Sequence, residues 1–350
     1  MRIALVIYGS LETVSGGYLY DRMLVSKLRH RGNTVDIISM PRRPYAASLL
    51  DNVGTPVEGG FDLILQDELN HPSLFLANRR PRVSPIISIV HHLRSSERRP
   101  EWQNAIYRAV ERRYLRLVDG FVFNSETTRA SVELLLAVKK PHVVAVPGGD
   151  RLGRVAAAEV RRRAHESGPL RVIFVGSLTA AKGLDLLLEA VSMVDRDQLK
   201  LDVVGPRVDP AFAGRMERRV AELRLPVRFR GELDDAALSE RLRAGHVLVV
   251  PSFYEGFGIV YLEAMAQGLP AIGTTAGAVP ELITDGVDGF LVKPGDAATL
   301  AQRIRNLGRD RELLVRMGLA ALRRFEAAPT WDQTTEKIWD FVRTVAGKRA

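Results

Sequence analysis

Residues 249–270 read VVPSFYEGFGIVYLEAMAQGLP, and the punctuation of this stretch decides the fold. The apolar run up to Pro251 has the pattern of a strand buried on both faces, as in a parallel sheet. A loop with Glu255, Gly256, Phe257 and Gly258 follows, then a helix to Gln267 that Gly268 and Pro270 stop. Glycines ahead of a helix let a ligand come close to the backbone. The first-turn N–H groups and the helix dipole make that place an anion site. A diphosphate is therefore expected beside Gly256, Phe257, Gly258, Ile259 and Val260. Glu255 and Glu263 stand roughly 7–8 Å or more apart along the axis at 1.5 Å per residue. They read as two separate acceptors for hydroxyl groups, not as a couple acting on one atom. Ile259, Val260, Leu262 and Met265 surround Glu263 with apolar neighbours. A buried carboxylate needs a partner, so a structural role for Glu263 stands beside the ligand-binding one.

Outward from this segment, short β-rich runs alternate with amphipathic stretches. Strands are predicted over 3–8, 34–39, 62–65, 86–90, 120–123 and 143–146. In the second half they are predicted over 171–175, 200–204, 227–230, 246–250, 271–273 and 290–292. Helices are predicted over 17–30, 101–117, 184–192, 258–267 and 297–306. Alternation of this kind implies doubly wound parallel sheets, an α/β fold. The pattern runs twice. It breaks at Pro147-Gly148-Gly149-Asp150 and in the arginine-rich stretch that ends Ser167-Gly168-Pro169. Two domains are expected, over 1–165 and 166–330. Ligands of open α/β sheets bind at the carboxyl ends of the strands, so a cleft between the two domains is the expected site.

Further segments carry candidate chemistry. In residues 174–190, FVGSLTAAKGLDLLLEA, Ser177 follows a strand and Lys182-Gly183 stands at a helix mouth. A mobile ammonium there suits phosphate, although a surface lysine in a turn is the competing reading. The P-loop spacing is absent, which disfavours an NTPase. Gly16-Gly17 opens the helix after strand one, but the dinucleotide fingerprint does not follow that strand and Asp36 falls inside strand two. An NAD enzyme is disfavoured. In residues 86–94, IISIVHHLR, His91 and His92 follow a buried strand at its carboxyl end, a place for substrate contact. No acidic or histidine partner stands there at metal-ligand spacing, and no metal site is expected. Residues 66–73, QDELNHPS, make Asn70 and His71 acceptor candidates. Residues 94–116 carry seven arginines beside Trp102, Ile106, Val110, Tyr114 and Leu117 at helical spacing. Such a helix either packs its apolar stripe with arginines in water or rests on acidic lipid.

Composition narrows the class. The 350 residues are 46% hydrophobic and 26% charged, an ordinary globular balance that excludes a disordered chain. The absence of cysteine excludes a disulfide scaffold, zinc ribbons, cysteine nucleophiles and iron–sulfur clusters. A net charge of +9 biases the surface towards anionic partners. No apolar run reaches the roughly 18–20 residues that span a bilayer. The run 3–8 is too short for a signal-peptide core. A cytoplasmic protein is expected, with peripheral contact at the inner face of an acidic membrane as the added possibility.

Taken together, these segments resemble the retaining, nucleotide-sugar-dependent glycosyltransferases of family 4, also called group 1. The likeness rests on E-x7-E, Glu255 to Glu263, with its trailing EAMAQGLP, and on the G-x5-K-G turn from Gly176 to Gly183. Gly16-Gly17, His91, Asn124-Ser125 and Gly277-Ala278-Val279-Pro280-Glu281 match as well. The resemblance implies a GT-B fold, two Rossmann-like domains with the active site between them. It implies an N-terminal acceptor domain onto which the last helix, about 331–350, packs back, and a C-terminal donor domain.

By the same resemblance Glu255, His91 and Lys182 are catalytic. Glu255 takes the transferred sugar, Glu263 the ribose hydroxyls and Lys182 the diphosphate. Backbone near Phe257 to Val260 joins Lys182, Arg230-Gly231 lies near the base, His91 touches the donor sugar, and Gly16-Gly17 lies close to its phosphates. Ser177 stands where the family usually has arginine, which removes one positive charge; Arg207 is a possible substitute. The implied reaction is metal-independent hexosyl transfer by front-face substitution. It needs no cofactor, favours UDP-sugars with GDP-mannose next, and delivers to a glycan, lipid or small-molecule hydroxyl. A GT-B sugar phosphorylase and a non-catalytic nucleotide- or sugar-binding protein are the alternatives. A nucleic-acid-binding protein explains the charge but not two helix-mouth phosphate sites.

Overall fold

The computed structural model describes residues 1–53, 57 and 60–347. These divide into two compact units, residues 1–147 with 331–350, and residues 148–330. The last three residues of the predicted terminal helix lie outside the described residues.

The first unit is built on a six-stranded parallel sheet in the order β2-β1-β3-β4-β5-β6. Its strands are β1 (Arg2–Tyr8), β2 (Thr34–Met40), β3 (Leu63–Asp67), β4 (Ile86–Val90), β5 (Gly120–Phe123) and β6 (His142–Val144). β3, LILQD, and β4, IISIV, are buried along their whole length. Continuous apolar runs of that kind belong to strands covered on both faces. Helix Gly16–His30 follows β1 and is capped by Ser15, whose side chain accepts from the Tyr18 N–H. Helix Trp331–Gly347 belongs to this unit. The ring of its Trp331 meets Tyr20 edge-on at 5.8 Å, and Thr334 Oγ1 donates to the Val146 carbonyl at 2.7 Å.

The second unit repeats the plan in the order β12-β11-β10-β7-β8-β9. Its strands are β7 (Leu170–Val175), β8 (Leu199–Val204), β9 (Val227–Gly231), β10 (Val247–Val249), β11 (Ala271–Thr274) and β12 (Gly289–Val292). All pairings in both sheets are parallel.

The division between units falls after Pro147, ahead of the boundary at 165 and 166 that the sequence suggests. The arginine-rich stretch reads as a polar linker, but residues 157–164 form a helix that joins the second unit. Arg163 is the reason. It is 3% exposed, and its guanidinium donates to the carbonyls of Arg243, Gln267 and Gly268 at 2.8–3.1 Å. Val155 N–H adds a bond to the Ala266 carbonyl at 3.0 Å. One buried arginine thereby caps the end of helix Ile259–Ala266 and ties down a segment whose composition reads as solvent-facing.

Candidate functional site

In the second unit the chain runs from β7 outward through β8 to β9, then returns to place β10 on the other side of β7. The order reverses between β7 and β10. The loops after these two strands leave in opposite directions, and such a switch point opens a crevice for ligand. The two most informative sequence segments are these two loops.

The loop after β7 carries Ser177, Lys182 and Gly183; the loop after β10 carries Ser252, Glu255 and Gly258. Gly183 has φ +68°, and a Cβ there would collide with the Pro251 carbonyl. Only glycine allows the lysine turn to lie against the second loop. The Phe253 N–H bonds to the Ala181 carbonyl at 2.9 Å and fixes the contact. Lys182 Nζ then reaches Glu255 Oε1 at 2.6 Å, and Ser252 Oγ donates to the same oxygen at 2.8 Å. The Glu255 side chain is 11% exposed and that of Lys182 31%. The carboxylate is held in place and the ammonium faces solvent.

Helix Ile259–Ala266 starts after Gly258 and is buried almost all round. Burial explains why its hydrophobic residues show no clear stripe. Glu263, 3% exposed, accepts from Arg151 Nε at 2.9 Å and Nη2 at 2.6 Å. Arg151 also pairs with Asp235. Burial pushes the Glu263 carboxyl up from its ordinary range, and the Arg151 charge opposes that shift. Phe257 is 4% exposed, so its ring packs in the core. Arg230, at the end of edge strand β9, donates from Nε to Asp202 Oδ1 at 2.8 Å. Arg207 pairs with Glu217 at 2.8 Å. Its loop packs on the Ser177 loop, where the Leu178 N–H bonds to the Pro206 carbonyl at 2.9 Å.

The first sheet has the same kind of switch point, between β1 and β3. Here the structure brings together what the sequence keeps apart. A Cβ on Gly17 would stand 3.1 Å from His91 Cδ2, so that helix start lies directly against the imidazole. His91 Nε2 is 3.3 Å from Asp21 Oδ1, and its carbonyl accepts from Asn124 Nδ2 at 2.8 Å. Asp67 joins Asp21 and His91 within 4.8 Å. Burial alone would lower the His91 pKa, but Asp21, then Asp67 and Glu68, outweigh it and raise the pKa to about 9. The surrounding acids thus favour the protonated imidazole. Burial raises Asp67 to about 7 and Glu68 to about 8.

Two further groups of predicted residues lie in the first unit. Asn70 and His71, the acceptor candidates, are 0% and 1% exposed. They lie in tight turns (Glu68–Asn70 and His71–Leu74) that the end of β3 draws into the core, and His71 Nε2 is 3.0 Å from Tyr45 Oη. Acidic partners that spacing along the chain at His91-His92 does not offer come in through space. Asp21 and Asp67 reach His91, and Glu68 and Glu111 reach His71. Asp21, Asp67 and Glu111 come in from distant segments, which spacing along the chain cannot register, whereas Glu68 stands three residues before His71. The sequence reading also missed Ser252 and Arg151. Arg151 has a weak signal, since a buried Glu263 demands a cationic partner.

Comparisons with known proteins follow this geometry. Residues 157–324 match the model for glycosyl transferases group 1. The chain is 35% identical over 178 residues to the D-inositol 3-phosphate glycosyltransferase of Streptomyces avermitilis, a match covering 48% of this chain and 38% of that protein. It is 27% identical over 381 residues to the phosphatidyl-myo-inositol mannosyltransferase of Mycobacterium leprae, covering 99% and 97%. Against the first of these relatives, as against others of the same description, the match spans about half of the relative's length or less. Sucrose-phosphate synthase from Thermosynechococcus elongatus superposes with a TM-score of 0.85 at 22% identity, over 99% of each chain. Residues 157–324 are a glycosyl transferases group 1 domain, set in a chain with the GT-B fold.

Proposed function

We propose that this chain is a retaining glycosyltransferase that moves a hexosyl group from a nucleoside-diphosphate sugar to an acceptor hydroxyl. A UDP-sugar is the favoured donor and GDP-mannose the next. The acceptor is a glycan, lipid or small molecule, with a phosphorylated cyclitol or its lipid ester tested first. The names of two relatives and the excess of 50 basic over 41 acidic residues support that choice.

The observation that carries the reading is the Lys182–Glu255 pair at the switch point of the second sheet. Without donor, the two charges neutralise each other. An incoming diphosphate draws the half-exposed ammonium to itself and frees Glu255 for the sugar hydroxyls, while Ser252 keeps that carboxylate in place. As the anomeric bond breaks, negative charge grows on the leaving diphosphate. Lys182 and the first-turn amides of helix Ile259–Ala266 meet it, so the step needs no divalent ion on the phosphates. Glu263, oriented by Arg151, takes the ribose hydroxyls, and Arg230-Gly231 borders the base. In the N-terminal unit His91 is assigned to the donor sugar and Gly16-Gly17 to its phosphates. Front-face substitution retains the anomeric configuration.

The test incubates the full chain with UDP-glucose, UDP-galactose, GDP-mannose and ADP-glucose and an inositol phosphate or inositol phospholipid. Release of nucleoside diphosphate and a product of unchanged anomeric configuration by NMR are expected. No release from any donor sinks the reading, and sugar 1-phosphate formed only on adding inorganic phosphate makes the protein a phosphorylase.

Peripheral contact with an acidic bilayer is part of the proposal. On helix Glu101–Leu115, Trp102 and Ile106 are 65% and 50% exposed, on the same helix as Arg108, Arg112 and Arg113. Among the described residues no helix is long and apolar enough to cross a membrane. Failure to float with phosphatidylglycerol vesicles removes this part.

A further inference from the structure

The turn after β3 sets Glu68 and His71 three residues apart, and helix Glu101–Leu115 brings Glu111 to them. One ligand-capable atom from each residue lies within 4.8 Å of the other two. Glu68 and His71 are 1% exposed and Glu111 is 0%. The Glu111 carboxylate accepts from Ser95 N at 3.1 Å and from Ser95 Oγ at 2.5 Å. His71 Nε2 is 3.0 Å from Tyr45 Oη, and His71 Nδ1 is 3.0 Å from both the carbonyl oxygen and Oε1 of Glu68. Of these two, only the carbonyl contact has hydrogen-bond geometry, and among the described residues neither carboxylate oxygen of Glu68 has a hydrogen-bond partner.

A fully buried carboxylate with both oxygens unpartnered carries a large desolvation cost. Arg94 and the nearby imidazoles of His92 and His91 offset it only in part, and burial still leaves the carboxyl raised. Arg94 lies over the rings of Tyr45 and Tyr107 at 5.3 and 5.1 Å, and among the described residues no ion pair joins it to Glu68. A divalent cation supplies what is missing. It balances two carboxylates, takes the open oxygens of Glu68 and accepts the Nδ1 lone pair of His71. Binding requires His71 to give up its Nδ1–H bond to the Glu68 carbonyl and change tautomer, after which Nε2–H donates to Tyr45, while Ser95 orients Glu111. Both are outer-shell bonds of the sort that fix metal ligands. Ligand atoms around zinc, at bond lengths near 2.1 Å, stand roughly 3.4 Å apart. Small side-chain rotations close the present cluster to that size.

We propose that Glu68, His71 and Glu111 bind a divalent first-row transition ion, zinc ahead of manganese, within the N-terminal unit. One imidazole with two carboxylates suits this class over calcium or magnesium, and zinc stands above manganese in intrinsic affinity. The ion ties the turn after β3 to helix Glu101–Leu115. It is separate from the lysine-held diphosphate, so the proposal survives even if the transferase reading fails.

The full chain, purified without chelator and dialysed, is analysed by inductively coupled plasma mass spectrometry. About one zinc per chain is expected. Chelator-stripped protein should gain at least about 5 °C in Tm when zinc is restored. Cobalt in place of zinc should give a visible absorption band. Glu68→Gln and His71→Ala should each abolish the band and the bound zinc, while His165→Ala, at an exposed histidine, should keep both. If the two site variants do not fold, the wild-type measurements decide. Less than a tenth of an equivalent of metal after reconstitution, with no change in Tm and no cobalt band, overturns the proposal. Zinc retained by folded Glu68→Gln and His71→Ala proteins overturns it as well.

Discussion

The two switch points of this molecule handle buried charge in opposite ways. In the second unit each buried carboxylate has a cation within hydrogen-bond distance, Glu255 with Lys182 at 2.6 Å and Glu263 with Arg151 at 2.6 Å. In the first unit Asp21, Asp67, Glu68 and Glu111 converge on two histidines, and a lysine or arginine pairs with none of them among the described residues. The first arrangement is a neutral site whose lysine can move to a ligand at little cost. The second gathers carboxyls that burial shifts up around two histidines, and they in turn favour the protonated form of His91. Charge in the loops after β7 and β10 is thus paired one to one, whereas charge in the other unit is gathered in the core.

The largest effect expected from this contrast is at Lys182. Lys182→Ala should lower kcat/KM for the donor about a thousandfold, as loss of a group that stabilises developing charge does, and lower Tm less than loss of Arg151 does, because Glu255 keeps its bond from Ser252. Nucleoside diphosphate release and a thermal melt check both; a variant with full turnover removes Lys182 from the site. Next comes the Arg151–Glu263 pair. Arg151→Met leaves Glu263 buried without a counter-charge and should cost about 3–4 kcal/mol of stability. Adding Glu263→Gln should recover much of it. If denaturant melts show no loss in the single variant, the pair is not a structural one.

The pH dependence of the first unit is the third way to break the comparison. His91 has its folded pKa raised from 6.5 to about 9. The stability it contributes, roughly 3 kcal/mol at 1.36 kcal/mol per unit, is complete below pH 6.5. It is lost as pH rises through about 9. His91→Gln should flatten that slope in denaturant titrations between pH 6.5 and 9, and an unchanged slope rejects the charged histidine. The smallest effect is at Ser177. Ser177→Arg adds a second cation beside Lys182 and should lower the donor KM roughly threefold to tenfold, on the order of 1 kcal/mol. If Arg207 already fills that role, donor KM stays where it was.

Much of the fold was readable because its signals are local. All twelve predicted strands occur, with ends moved by one or two residues, since apolar runs and turn residues act on neighbours in the chain. The Gly183 turn and the loop of Glu255 were readable for the same reason: a φ of +68° and a strand-to-helix turn each leave a mark in a few residues. The arginine-rich stretch hides Arg163, because one buried arginine among exposed ones looks the same in composition. The burial of Asn70 and His71 is hidden because a polar turn after a strand ordinarily faces water, and here it is drawn under the sheet.

The amino-acid order alone therefore determined the alternation, the parallel sheets and the two loops that carry the lysine and the paired glutamates. Tertiary structure alone decided the partners: Arg151 for Glu263, Asp21 for His91, Glu111 for Glu68 and His71. The physical reason is that backbone preferences depend on a few neighbouring residues. Which side chains share a dry interior depends on strand order and crossover, and these bring together groups 70 residues apart for His91 and Asp21 and 112 for Arg151 and Glu263.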